Sequence, residues 1–565
     1  MYKNILTIIL VLVVFIKAQV PRMQNMNSAI RDNGKYYAWI YFADKVKSTK
    51  KLSVSMKTIK RRNKINTNKN YEWYDLNPSE DYINKVLATG AKLRHQSRWL
   101  NAISIECTEN ELIEISYMPF VNDIQPVKQF HRKNIDEIHP IKGLRKIESI
   151  TDTDYGNAQE QLEQINVPKA HDAGYYGQGV TVLMLDSGYN LDHPVFDSLN
   201  VIAEWDVINN DSTTKNEAGQ DVPNQHNHGT STFSVLGGYA PGSLIGPAFK
   251  ADFLLAKTEI LEPEIKLEED HFVSGLEWGE ALGADVMSTS VGYATFDNPD
   301  DNYTFNDMDG ETAITTKAVN IAVDLGVICV ASAGNENGEP WNHITTPADA
   351  YNVISVGAVD NSGVIASFSS RGPTYDGRIK PEVCARGVIT VTAFGNSGYG
   401  YSSGTSFSAP LVAGAAAVLL SANPTWTPTM VRQALMKTAS QSDNPNDIYG
   451  YGIIDIWEAI NIDTLLLDRP TLPSQFKLYQ NFPNPFNPNT TIEYELRQSS
   501  KVKLIIFDIL GREVTTLVNH FEPSGIKSVM WDGTADNGNP VSTGVYFYSL
   551  IIGNNNFTKK MLLLR

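Results

Sequence analysis

Between residues 155 and 461 one pattern recurs: a short unbroken apolar run, followed by a stretch with helical spacing. The runs are VTVLMLD, DFLLAK, DVMSTS, GVICVASAG and NVISVGA. A strand without polar alternation is buried on both faces, and strands separated by helices pair in parallel through crossovers. The pattern predicts an α/β domain, a parallel sheet covered by helices, over 151–462. In such sheets ligands bind at the carboxyl ends of the strands, so the residues that close each run are the first place to look for chemistry.

The flanks read differently. Residues 19–150 carry strand-like patches (Tyr36 to Ala43, Ala102 to Cys107, Phe120 to Val127) and one helical stretch, SEDYINKVLATG, with Ser79 placed to cap it. They predict a small α+β module. Residues 463–475, which contain LLLDRPTLPSQ, read as a linker, and NFPNPFNPNTT is Pro/Asn punctuation. From 476 to 565 the runs TIEYELR, KVKLIIFDIL, KSVMWDG, GVYFYSLIIG and FTKKMLLLR are separated by turn residues, the signature of an all-β immunoglobulin-like sandwich. Residues 1–18 combine Lys3, an apolar stretch from Ile5 to Ile16 and Ala18, which fits a secretory signal peptide.

Three cysteines, Cys107, Cys329 and Cys384, are too few for a disulfide framework and read as buried small hydrophobes. A net charge of −16 argues against nucleic acid as a partner. The charge is unevenly placed. From Gln19 to Asp154 there are 23 Lys and Arg against 16 Asp and Glu, a net +7; beyond the signal, the remainder carries −25. Opposite fields of this kind favour docking of the first segment on the second.

Chemistry gathers at the strand ends. Asp186 closes VTVLMLD, with Ser187-Gly188 making the turn, and Asn335 follows VICVASAG. HNHGTS offers His226 and His228 ahead of a helical stretch, and GTSFSAP offers Ser406 at a helix start. Singly, each has a bland reading as a turn, a loop or a cap. Together they supply what acyl transfer needs: a nucleophile, a base, a carboxylate to orient the base, and donors for an oxyanion.

The blocks DSG (186–188), HGTS (228–231), SVG (290–292), SAGN (332–335) and GTSFSAP (404–410) stand in the order Asp, His, Ser. With YGYGIIDIWEAI (449–460), they make the chain from about 155 to 461 resemble a subtilisin-type serine protease. The resemblance implies Asp186, His228 and Ser406 as a catalytic triad and Asn335 as oxyanion donor. It also implies that Ser290, Val291 and Gly292 pair with a substrate backbone. His226 falls outside the motif, and Ser402, Ser403 and Ser408 read as loop or helix-packing residues. Phe407 and Arg386 depart from the common pattern, which bears on pocket shape and not on the triad.

Such proteases carry an N-terminal segment that assists folding and inhibits until it is removed. Residues 19–150 take that place, with FVNDIQPVKQF as the inhibitory strand and cleavage expected between Phe130 and Tyr155. The C-terminal QNFPNPFNPNTTIEY, WDGTADNGNPVSTGVYFY and KKMLLLR resemble the sorting domain of type IX secretion. That implies an outer-membrane secretion machinery as partner and an extracellular or cell-surface location. Peptides or proteins are the implied substrates. A peptide ligase using the same triad, and an inactive surface-binding protein on the same fold, are the rival readings. No cofactor is needed for the chemistry; the DMDG of 307–310 suits either a calcium loop or a cap leading into a helix at Glu311.

Overall fold

The computed structural model describes residues 29–30, 34–45, 52–65, 72–127, 129–130, 139–140, 153–260, 267–293, 303–467, 476–496, 500–522, 525–536, 538–553 and 555–564. The signal stretch 1–18, most of the expected cleavage region and the second half of the linker lie outside them.

In the N-terminal module, β1 (Tyr36–Phe42), α1 (Met56–Ile65) and α2 (Glu80–Leu87) precede β2 (Lys92–Ser97), β3 (Ala102–Cys107), α3 (Glu109–Ser116) and β4 (Val121–Pro126). The strands form an antiparallel sheet in the order β2-β3-β1-β4. Ser79 caps α2 through the Tyr82 N–H, and Thr108 with Glu111 forms a capping box on α3. One sheet face (Ala38, Ile40, Phe42, Ile103, Ile105) packs on α2 and α3. The other presents Trp39 and Ala102, with Trp99 of the turn between β2 and β3, to the next domain's core. The stretch 120–130 is therefore split. Its first part is a strand of this sheet, and only β5 (Gln129–Phe130) leaves it to pair elsewhere; β6 (His139–Pro140) follows.

The central domain supplies β7 (Thr181–Asp186), β8 (Asn200–Asp206), α4 (Asn227–Gly237), β9 (Asp252–Lys257), β10 (Leu267–Glu268), α5 (Glu269–Leu282), β11 (Val286–Thr289), α6 (Ile314–Asp324), β12 (Ile328–Ser332), β13 (Ile354–Val359) and β14 (Val383–Arg386). A hairpin, β15 (Thr390–Phe394) and β16 (Gly398–Ser402), leads into α7 (Thr405–Ala422), followed by α8 (Pro428–Lys437) and α9 (Ile456–Asn461). Seven strands form one all-parallel sheet, order β14-β13-β12-β11-β7-β9-β8. Alternate residues of β7 serve opposite cores: Val182 and Met184 pack with α7 and α4, Leu183 and Leu185 with α5 and α6. All five apolar runs are strands of this sheet; β8 and β14 complete it. The domain's core runs from Tyr155 to Leu467, so the start of the 463–475 linker, including the turn Thr464–Leu466, is folded onto the body.

The C-terminal domain packs two antiparallel sheets face to face. One holds β17 (Lys477–Leu478), β18 (Thr490–Leu496) and β21 (Gly525–Trp531); the other holds β19 (Ser500–Phe507), β20 (Glu513–Glu522), β22 (Gly544–Ile552) and β23 (Asn555–Leu563). Inward residues of both, among them Ile492, Tyr494, Leu504, Tyr548 and Trp531, share one core. The immunoglobulin-like sandwich expected from the turn spacing is the fold observed.

The N-terminal module docks on α5 through buried charge. Glu280, fully buried, accepts from Arg61, from Arg62 at 2.9 Å and from Arg98 at 3.0 Å; Arg94 reaches Asp270 at 3.1 Å. Burial alone would raise the Glu280 carboxyl, but the three guanidiniums outweigh it and hold it at about 2. A carboxyl depressed on docking adds stability that is complete above its free value, near 4.5, and is lost as pH falls through about 2. In a full-length Ser406→Ala chain, Glu280→Gln is expected to destabilise by about 3–5 kcal/mol at neutral pH, because it strands buried guanidiniums. Melting curves run from pH 7 downward should show the gap between the two proteins closing below pH 4.5.

Candidate active site

β7 sits where the strand order turns back, between β11 and β9, so the crevice beyond its carboxyl end is where this fold places a ligand. Asp186 is the last residue of β7 and is 1% exposed. Its Oδ1 accepts from the Ser187 N–H at 2.7 Å and bonds His228 Nδ1 at 2.6 Å, while Oδ2 accepts from the Thr232 hydroxyl at 2.9 Å. Each of these three partners can donate, as a buried carboxylate requires. His228 and Thr232 lie four apart on α4, so one helix face presents both to the same carboxyl group.

The glycines of the two motifs make this approach feasible. A Cβ on Gly229 would be driven into the Gly188 carbonyl oxygen and would lie 3.1 Å from Asp186 Cβ. Gly188 itself has φ +111°, where a side chain is strained, and a Cβ there would strike the Thr214 carbonyl. DSG and HGT are thus two halves of one contact.

Ser406 is the second residue of α7 and is 2% exposed. Its Oγ lies 3.4 Å from the Ser290 carbonyl oxygen, and the Ser290 hydroxyl donates to the Ser406 carbonyl at 2.8 Å. These bonds tie the start of α7 to the end of β11. At the helix N-terminus the free N–H groups and the helix dipole favour a developing anion. Asn335 Oδ1 accepts from both the N–H and the hydroxyl of Thr405, each at 2.9 Å. With its oxygen so engaged, the amide's Nδ2 is the end left to donate. The sheet therefore brings Asp186 and His228 together, and ties Asn335 and Ser290 to the first turn of α7.

Ser290 and Val291 are buried and Gly292 is exposed. Across from them runs 333–335, and Thr345 fills the space between. A Cβ on Gly292 would strike Thr345 Oγ1, and one on Gly334 would lie 2.9 Å from Thr345 Cγ2. The spacing of the motifs carries no sign of Thr345, which follows from a loop conformation. The propeptide pairings seen among the described residues do not involve 290–292: Leu267 and Glu268 pair antiparallel with Phe130 and Gln129. On β16, Gly400 and Tyr401 pair with Pro140 and His139.

Other residues singled out in the sequence have plainer places. His226 precedes α4 and its Nδ1 accepts from the Asn216 N–H at 2.9 Å. Ser402 ends a strand and is not in a loop; Ser403 Oγ accepts from the Ile389 N–H at 3.0 Å, and Ser408 donates to the Thr405 carbonyl at 3.1 Å. Phe407 is not remote from His228: its ring lies 6.2 Å from the His228 ring, centre to centre. Arg386 is buried and bonds the Val388 carbonyl at 2.7 Å. In the 307–310 stretch, Asp307 accepts from the Thr304 N–H and hydroxyl, and Asp309 from the Glu311 and Thr312 N–H groups, with the helix beginning at Ile314. All three cysteines are buried, and burial pushes the Cys107 and Cys384 thiols up to about 12.

A parallel sheet carrying a buried Asp–His pair, with a serine at the N-terminus of a helix tied to the end of β11, has the parts of a serine hydrolase site. The family patterns agree. The subtilase family matches residues 177–452, the peptidase S8 propeptide domain of Bacteroidota matches 37–140, and an FlgD Ig-like domain matches 487–551. Subtilisin from Bacillus pumilus is 31% identical over 305 residues, covering 53% of this chain and 97% of that protein. Subtilisin E from Bacillus subtilis is 29% identical over 371 residues, 66% of this chain and 83% of its own length. Subtilisin Savinase from Lederbergia lenta is 29% identical over 294 residues, 52% and 95% respectively. The chain belongs to the subtilase family of serine peptidases and carries its propeptide.

Gly229→Ala tests the approach of the two motifs. The added methyl meets backbone on one side and Asp186 on the other, so it is expected to cost about 1–3 kcal/mol as overpacking. Denaturant unfolding should show that loss, and loss of peptidase activity should accompany it.

Proposed function

We propose that the protein is a secreted serine endopeptidase, made as a self-processing zymogen, in which Ser406 is the nucleophile, His228 the base, Asp186 its orienting carboxylate and Asn335 an oxyanion donor. The observation that carries this reading is the 2.6 Å bond from His228 Nδ1 to a buried Asp186, with the ring of Phe407, next to Ser406 on α7, 6.2 Å from the His228 ring. That bond fixes the tautomer, leaving Nε2 to accept the Ser406 proton as Oγ attacks a substrate carbonyl. The oxyanion takes the Asn335 Nδ2–H and the Ser406 N–H. Collapse expels the amine, which leaves with the proton from His228. Water then repeats the sequence on the acyl-enzyme, releasing the acid and restoring Ser406. The chemistry uses the chain's own groups; calcium at 307–310 is not part of the proposal, since Asp307 and Asp309 already accept backbone N–H groups.

Two short pairings favour self-processing. The propeptide enters beside β10 at Gln129–Phe130 and next pairs with β16 at His139–Pro140. We place the processed bond between Phe130 and His139, inside the interval expected from the sequence. Until that cut, the same chain blocks the crevice as a tethered inhibitor. The terminal sandwich, through its resemblance to type IX sorting domains, is read as the address for export across an outer membrane. The signal-like start of the chain is read as the route into the periplasm. A ligase reading has no separate support, and a surface-binding role without catalysis leaves the enclosed Asp186–His228 pair unexplained.

The direct test compares residues 19–565 as wild type and as Ser406→Ala. Only the wild type should lose its N-terminal module, by intact mass, and react at Ser406 with a serine-directed phosphonate. An inert but folded wild type, even after the propeptide is trimmed in trans, would refute the reading. Joined peptides in place of new termini would move it to the ligase.

Thr345 gives a second expectation. If the side chain before the scissile bond enters between 290–292 and 333–335, Thr345 makes that space shallow and favours small residues. Thr345→Gly is then expected to raise kcat/KM for a leucine or phenylalanine substrate, relative to alanine, by about 10–100-fold. A peptide series with one varied position measures it.

A further inference from the structure

Lys257 ends β9 and is 1% exposed. In the sheet it stands in register with Asp186 of β7 on one side and Asp206 of β8 on the other. Its ammonium bonds Asp206 Oδ2 at 2.7 Å and also bonds Asp221 Oδ1. Neither carboxylate serves it alone. Asp206 also accepts from the Ile208 and Asn209 N–H groups at 2.9 Å each, and Asp221 from the Glu217 N–H at 2.8 Å. One buried cation therefore gathers a strand end, the turn after β8 and the middle of the stretch from 207 to 226.

That stretch ends at the base of the triad. Gln225 donates to the Ser187 carbonyl at 2.9 Å and to the Glu259 carbonyl, joining the turn after Asp186 to the chain just past Lys257. His226 then opens the helix that carries His228. The lysine stem is part of the same contact: a Cβ on Gly188 would lie 3.3 Å from Lys257 Cδ and 3.5 Å from His226 Cβ. Moving the ammonium would release Asp221, then the 207–226 stretch, then the approach of α4 to β7.

We propose that Lys257 is a positioning residue for the triad, its ammonium fixing the 207–226 stretch, and through it the Asp186–His228 pair, where a divalent cation would otherwise be called for. Two carboxylates converging in a buried site are the donors a hard cation takes, and a lysine end group answers the same charge demand without coordination. The inference rests on the catalytic reading above.

The test uses the full chain with Lys257→Met, which keeps the stem and removes the charge, beside Lys257→Arg and wild type, all in chelator. Misplacement of about 1 Å near reacting groups can cost about 10²-fold, so Lys257→Met is expected to lose on that order of kcat with KM little changed. Millimolar calcium, or the Lys257→Arg exchange, should restore much of it, and restoration by either supports the proposal. Wild-type kcat in Lys257→Met overturns it, as does a loss that neither cation restores. Where Lys257→Met does not fold, Asp221→Asn breaks one arm and keeps the Asp206 pair; it is expected to lower kcat by about tenfold at constant KM, and an unchanged kcat overturns the proposal. Phosphonate labelling separates the two levels. An unlabelled wild type fails the catalytic reading and the inference with it; a labelled wild type with an unaffected Lys257→Met fails the inference alone.

Discussion

A carboxylate at the end of a central strand, buried on every side, is the demand around which the catalytic domain is built. Asp186 sits 1% exposed between two neighbouring parallel strands, where unpaired charge would be costly. Three donors reach it: a backbone N–H one residue on, the imidazole of His228 and the hydroxyl of Thr232. Two of these come from one helix, and that helix can approach only because Gly229 meets Gly188 with no side chain between them. Satisfying the charge and orienting the His228 imidazole are therefore one event, so damage to the packing here would be damage to the proposed chemistry.

The same logic governs the propeptide at larger scale. Its helix MKTIKRRNKI has little apolar surface and would not be expected to bury itself. It does so because Arg61 and Arg62, each 3% exposed, are taken up by Glu280 and by Asp75. Such pairs are costly to desolvate and gain from mutual attraction, so their net worth is small while the cost of breaking one is large. They specify a docking position more than they add affinity, and bulk hydrophobic contact through Trp39 and Trp99 supplies the area.

This bears on what the sequence could disclose. The five apolar runs announced the parallel sheet because a strand covered on both faces has no polar alternation to hide it. Strand β8, NVIAEWD, lies at the sheet edge with a mixed burial pattern and gave no such signal. The proposed triad stood out in the sequence because its residues sit beside glycines that close approach demands, which makes short, dense motifs. Thr345 and Lys257 did not, since each acts through a fold of the chain that brings distant segments to it. The charge asymmetry was visible as a sum, but its meaning lay in which arginine meets which carboxylate. The stretch 120–130 showed the limit from the other side: read as one strand, it serves two sheets, because β4 is needed to complete the propeptide before β5 can leave it.

If the chain processes itself as proposed, that division has a consequence for how inhibition and processing would share one segment. The propeptide's own sheet anchors the chain up to Pro126, and the buried arginines fix that sheet on α5. Only a few residues then separate a rigid anchor from the pairing at Leu267–Glu268. Short tethers hold an attached group at high effective concentration, so under the proposed inhibition the crevice would stay filled even where each short pairing is weak. Cutting the chain between the two pairings would remove the tether on the β16 side and leave the anchored side in place. The product strand would then inhibit through the propeptide's docking energy, and release would depend on losing the α5 interface. Under the proposed processing, the lifetime of the inhibited state would be set at the interface of the propeptide with α5, where Trp39 and Trp99 supply the area and Glu280 with its arginines fixes the position.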